Sequence, residues 1–94
     1  MAQTTDHPTW CTRDRVCAAE GIHRSRPVPA TTPEAHAALR LWLEQAHLHD
    51  APVSVILEVT EEGDTRYCWL APAQARVLRH QLGRLLDASK AGQR

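Results

Sequence analysis

Phenylalanine is absent from these 94 residues, and only Trp10, Trp42, Trp69 and Tyr67 supply aromatic rings. An interior must therefore come from Leu, Val, Ile and Ala. It will be thin, because a chain this short buries a smaller share of its surface than a longer one. Net charge is also absent: eleven basic side chains balance eleven acidic ones. This excludes a protein whose main task is coating nucleic acid or an anionic membrane. No apolar run approaches the roughly 20 residues that span a bilayer. The start MAQTTDHPTW lacks the basic and apolar regions of a secretory signal, so a cytoplasmic protein without a membrane span is expected. A catalytic set is missing as well, since Ser25, Cys68 and His80 show no nucleophile pairing.

What is present begins at His7. The stretch HPTWCTRDRVCAAEGIH places His7, Cys11, Cys17 and His23 at His-x3-Cys-x5-Cys-x5-His, with Trp10 beside one cysteine. Thiolate sulfur and imidazole nitrogen at four corners are the donors of a closed tetrahedral zinc site. In a reducing cytoplasm two such cysteines are metal ligands before they are a disulfide. The spacing is looser than the Cys-x2-Cys pairs of common fingers, and surface histidines with packing cysteines stay open as an alternative. The intervening TRDRV and AAEGI read as loops or turns, with Gly21 available for a positive φ. Zinc binding would supply folding free energy that so polar a segment lacks. The third cysteine, Cys68, reads as a small buried hydrophobe.

Beyond the knuckle (7–25, after a frayed 1–6), SRPVPATTP carries three prolines and reads as a connector with a possible edge strand. Residues 34–49 are ambiguous. Thr32-Pro33-Glu34 resembles a helix start, yet LRLWLEQ alternates, with Leu39, Leu41 and Leu43 on one side and Arg40, Trp42 and Glu44 on the other. The alternation favours a strand, with a helix as the alternative. VSVILEV is a clear strand, and RYCWL is its hairpin partner across TEEGDT, with Gly63 in the left-handed position. His36, His47 and His49 read as exposed loop residues, with a second metal site at His-Leu-His as the lesser possibility.

From Ala71 to Lys90, the residues Ala71, Ala75, Leu78, Leu82, Leu85 and Leu86 fall within about 100° of a helical wheel. Arg76, Arg79, His80, Asp87 and Lys90 take the other side. Gly92 is expected beyond a helix end near Ser89. The fold class is thus α+β: one domain over 1–94, with a three-stranded antiparallel sheet (34–70) covered by one C-terminal amphipathic helix (71–90) and an N-terminal loop-rich zinc knuckle. Charge is uneven along the chain. Seven acids between 31 and 70 face Arg40 and Arg66, whereas 71–94 carry five basic residues against Asp87. These are solvated faces or the complementary surfaces of a dimer.

His7-Pro8-Thr9-Trp10-Cys11, Cys17 and His23-Arg24-Ser25 resemble the N-terminal signature of a group of small actinobacterial (Streptomyces-type) proteins sharing a domain of unknown function. Leu70-Ala71-Pro72-Ala73-Gln74-Ala75-Arg76-Val77-Leu78 is similar to their helix start, and LWLEQ to one of their strands. Two departures stand out: His7 takes the place of a usual cysteine, which keeps metal competence, and Ala71 that of a Ser or Thr cap. More distantly the chain resembles the bald-type developmental regulators, which implies a dimer working beside a helix-turn-helix regulator. The expected function is a non-enzymatic, zinc-stabilised protein-interaction module, dimeric and regulatory, in actinobacterial development or transcription control. The alternative is a zinc-dependent nucleic-acid binder using Arg13, Arg15, Arg24 and Arg26, with Trp10 for stacking. An enzyme is disfavoured, because four protein ligands close the shell and Glu20 is the only nearby acid.

Overall fold

The computed structural model describes residues 7–12, 15–48 and 50–92; residues 1–6, which the sequence assigns to a frayed tail, lie outside them. The elements run α1 (Arg15–Glu20), β1 (Ile22–Arg24), β2 (Val28–Pro29), β3 (Ala38–Ala46), β4 (Ser54–Glu61), β5 (Asp64–Leu70) and α2 (Pro72–Gly92). The class is α+β, an antiparallel sheet with one long C-terminal helix. The sheet has five strands where three were expected. The extra two, β1 and β2, pair end to end along one edge of β3. Pro27 and Pro29 keep that edge short and broken, as residues lacking an amide donor do at a sheet border.

Residues 38–46 form a strand, so the alternation of Leu39, Leu41 and Leu43 outweighs the helix start at Pro33. The central pair is β3 with β4, in register from Ala38 opposite Thr60 to Glu44 opposite Ser54. Strand β5 completes the hairpin from Val55 opposite Leu70 to Glu61 opposite Asp64. At its tip Glu62 (φ 51°) and Gly63 (φ 85°) are both left-handed, the two-residue arrangement whose twist matches the flanking strands.

The register sorts the side chains onto two faces. One carries Arg24, Arg40, Trp42, Glu44, Ile56, Glu58, Tyr67 and Trp69. There Ile56 is buried beneath the larger side chains. Arg40 grips Glu58 opposite it with Nε–Oε1 2.7 Å and Nη2–Oε2 3.1 Å, and this hydrogen-bonded pairing holds the Glu58 carboxyl below its usual range. The opposite face is aliphatic: Leu39, Leu41, Leu43, Val55, Leu57 and Val59, all half-buried.

Helix α2 forms where its periodicity puts it, and it runs through Gly92 rather than ending near Ser89. It lays little on the sheet. Beyond Pro72 and Ala75 in the first turn it is exposed as far as Lys90, including Val77, Leu78, Leu82, Leu85 and Leu86. The expected covering of the sheet is therefore not made within one chain. Cys68, expected to be buried, is exposed for the same reason: it lies on the aliphatic face that nothing covers.

The helix starts with Pro72 at its first position, and the Ala75 amide donates to the Ala71 carbonyl at 2.9 Å, which makes Ala71 the capping residue. Its methyl group cannot accept from the next amides. Ala71→Ser is expected to stabilise the protein by about 0.5–2 kcal/mol, read as a higher urea midpoint at unchanged slope.

Candidate metal centre

The segment expected to be loops and turns contains one turn and one short helix. The Cys11 amide donates to the Pro8 carbonyl at 3.0 Å, closing a turn that brings His7 and Cys11 together. Cys17 lies in α1, and Gly21 (φ 66°) reverses the chain into β1, which carries His23. The Thr12 amide donates to the Arg24 carbonyl at 3.0 Å, which ties the first turn to that strand. Four residues spread over turn, helix and strand thus meet at one point.

Their donor atoms converge. His7 Nδ1 lies 3.4 Å from Cys11 Sγ, Cys17 Sγ lies 3.5 Å from Cys11 Sγ, and Cys17 Sγ is 3.6 Å from His7 Nδ1 and 3.5 Å from His23 Nδ1. All four atoms fall within 4.8 Å of one another. Tetrahedral coordination by sulfur at about 2.3 Å and nitrogen at about 2.0–2.1 Å separates neighbouring donors by about 3.3–3.8 Å. The four separations at Cys17 and between His7 and Cys11 fit that figure, while the full set spans up to 4.8 Å, a little wider than a filled tetrahedron. The two sulfurs are too far apart for a disulfide, which needs about 2.05 Å. His7, Cys11, Cys17 and His23 are positioned to coordinate a metal ion.

The surroundings agree with that use. Cys11, Cys17 and His23 are buried, and His23 retains only 1% of its accessible surface. Burial, with smaller contributions from His47 and His7, pushes the His23 imidazole below its ordinary pKa of 6.5 and keeps it in the neutral form that binds metal. Its Nε2 is buried without a hydrogen-bond partner among the described residues.

A fifth residue belongs to the cluster and was missed. His47 Nε2 sits 3.1 Å from Cys17 Sγ, and its ring lies 4.0 Å from that of His23. Its backbone amide donates to the Gly21 carbonyl at 2.8 Å. The signal was available in the alternation that places Leu41, Leu43 and Gln45 on one face, because His47 continues it and Gln45 pairs with His23. His49 lies outside the described residues, and His36 is exposed. The cluster therefore recruits from His-Leu-His the residue for which a separate site was considered.

Of the arginines of the nucleic-acid alternative, the structure describes the side chains of Arg24 and Arg26. Arg24 is engaged by Glu44 at 3.1 Å and by Glu20 at 3.5 Å. Arg26 is exposed, while Arg13 and the side chain of Arg15 lie outside the described residues. Glu20 is an exposed ion-pair partner, and Trp10 is half-buried. No helix among the described residues is long and apolar enough to cross a membrane.

Two outcomes follow from this geometry. With Nε2 protonated, His47 donates to the Cys17 sulfur, so His47→Ala is expected to weaken metal binding by about 10–100-fold without abolishing it, measured by chelator competition. Acid acts in the same direction at His23. The unfolded chain takes up a proton at the ordinary pKa of 6.5 and the folded chain only lower, so stability held above pH 6.5 is lost as pH falls below it. Metal release and unfolding are expected to coincide on that acid limb, followed by a metal indicator and circular dichroism. No family model, curated protein or solved structure matches the chain.

Proposed function

We propose that this chain is a non-enzymatic, zinc-stabilised protein-interaction module, dimeric and cytoplasmic, serving regulatory control of the kind its actinobacterial resemblance implies. The observation that carries the reading is the meeting of His7, Cys11, Cys17 and His23, their donor atoms within 4.8 Å of one another and three of the four residues buried. Two thiolates and two imidazoles suit zinc, whose structural sites are closed by four protein ligands. A catalytic zinc keeps one position for water and places a base beside it, whereas Glu20 is exposed and paired with Arg24.

The sheet supports the interaction part of the reading. Trp42, Tyr67 and Trp69 lie side by side, with ring centroids 6.3 and 6.0 Å apart, and Tyr67 and Trp69 are 50% and 63% exposed. Arg24, Arg40, Glu44 and Glu58 join them around a shallow groove of about 400 Å³. Aromatic anchors ringed by charged groups are the chemistry of protein-binding surfaces.

Elemental analysis of the purified, tag-free protein tests the proposal. About one zinc per chain is expected, lost together with the folded structure in Cys17→Ser. A fully folded protein without metal would overturn it, as would a Cys17→Ser variant that keeps both zinc and stability.

A further inference from the structure

Two apolar surfaces in this chain face solvent, and each has the shape of the other's missing partner. The first is the stripe of α2, where Leu78, Leu82, Leu85 and Leu86 are 41–68% exposed. The second is the aliphatic sheet face of Leu39, Leu41, Leu43, Val55, Leu57 and Val59, all of it only half-buried. Their lengths match, since 21 helical residues span about 31 Å and the eight residues of β4 about 27 Å. We infer that two copies of this chain exchange their C-terminal helices, the helix of each covering the aliphatic sheet face of the other. This deepens the dimeric part of the proposed function by naming the interface.

The hinge explains why the helix does not close on its own sheet. Strand β5 ends at Leu70 and α2 begins at Pro72, which leaves Ala71 as the whole connection. Strand-to-helix connections that fold back use about 2–6 residues. Ala71 is further restricted to extended conformations by the proline that follows, and Pro72 has a fixed φ. The helix consequently continues beyond the end of the sheet, and the molecule is 59 Å long. A short, stiff hinge that prevents closure in one chain favours closure between two.

Surface and charge point the same way. The accessible surface is 7543 Å² for a mass of 10.5 kDa, where a compact monomer would expose about 5,400 Å². The radius of gyration is 16.5 Å against about 12.4 Å for a compact chain of this length. The excess, roughly 2,000 Å² per copy, is ample for an obligate dimer, which buries about 2,000–5,000 Å² in total. The helix presents Arg76, Arg79, Arg84 and Lys90 with Asp87, whereas the hairpin end of the sheet presents Glu61, Glu62 and Asp64 with Arg66. The basic residues lie off the leucine stripe, so these charges would complement one another at the rim of the interface and not in its apolar seam. Leucine stripes pairing helix to helix would bury the first surface and leave the second open.

Light scattering on the zinc-loaded full chain tests the exchange, with metal content measured on the same samples. The native protein is expected at twice 10.5 kDa. A flexible Gly-Ser segment inserted between Ala71 and Pro72 is expected to let the helix reach its own sheet, halving the mass at unchanged zinc and helix content. Leu82→Glu with Leu85→Glu is expected to dissociate the dimer while zinc is retained, because neither residue touches the metal cluster. A native monomer would overturn the inference, and so would a dimer indifferent to the inserted segment, which would mark helix-to-helix pairing. Either result with about one zinc per chain leaves the zinc reading standing, whereas loss of zinc from the native protein overturns that reading by itself.

Discussion

Donor atoms that converge in a dry pocket need a shared partner. Among the described residues Cys11, Cys17 and His23 are three of the five that are buried, the others being Ile56 and Leu70. Most of these buried residues are thus potential metal ligands, and only two are aliphatic. Thiols are weak hydrogen-bond donors, and burying imidazole without a full set of partners costs free energy. One cation bound by all four groups would remove that cost and link turn, helix and strand. For a chain without phenylalanine it would stand in for the core that is hard to build.

Strand β3 connects the metal cluster to everything else. It pairs with β1, β2 and β4, and where it ends His47 reaches Cys17. The knuckle is therefore docked on the sheet edge through a side chain as well as through the ladder. Because strand residues alternate between faces, the same strand sends Trp42 and Glu44 to the aromatic side and Leu41, Leu43 and His47 to the other. The Trp42 indole donates to Glu44 at 2.8 Å, and Glu44 also holds Arg24, so the aromatic face is ordered by charged groups where it meets β1.

The two sheet faces have different fates for a physical reason. Wide side chains cover one another on the aromatic face, which is enough to bury Ile56 with no second layer. Leucine and valine are too short to do this, so the aliphatic face stays open until another element is laid on it. Covering from within is denied by one residue of connection, and the proposed helix exchange would satisfy helix and sheet together.

Periodicity and ligand chemistry were legible along the chain because both are local. The alternation of LRLWLEQ, the hairpin at Glu62-Gly63, the leucine repeat of α2 and the inventory His7, Cys11, Cys17, His23 need only near neighbours to be read. Tertiary structure decided what depends on distance and direction. It placed Cys17 on a helix rather than a loop, because a short polar segment has no periodicity to betray one. It brought His47 to a cysteine 30 positions away, and it left Cys68 exposed where an aliphatic strand pattern promised burial. Amphipathicity states that a helix has an apolar face but carries no address for it. For α2 the length and stiffness of the Ala71 hinge set that address, and they become decisive only when strand and helix are placed in space.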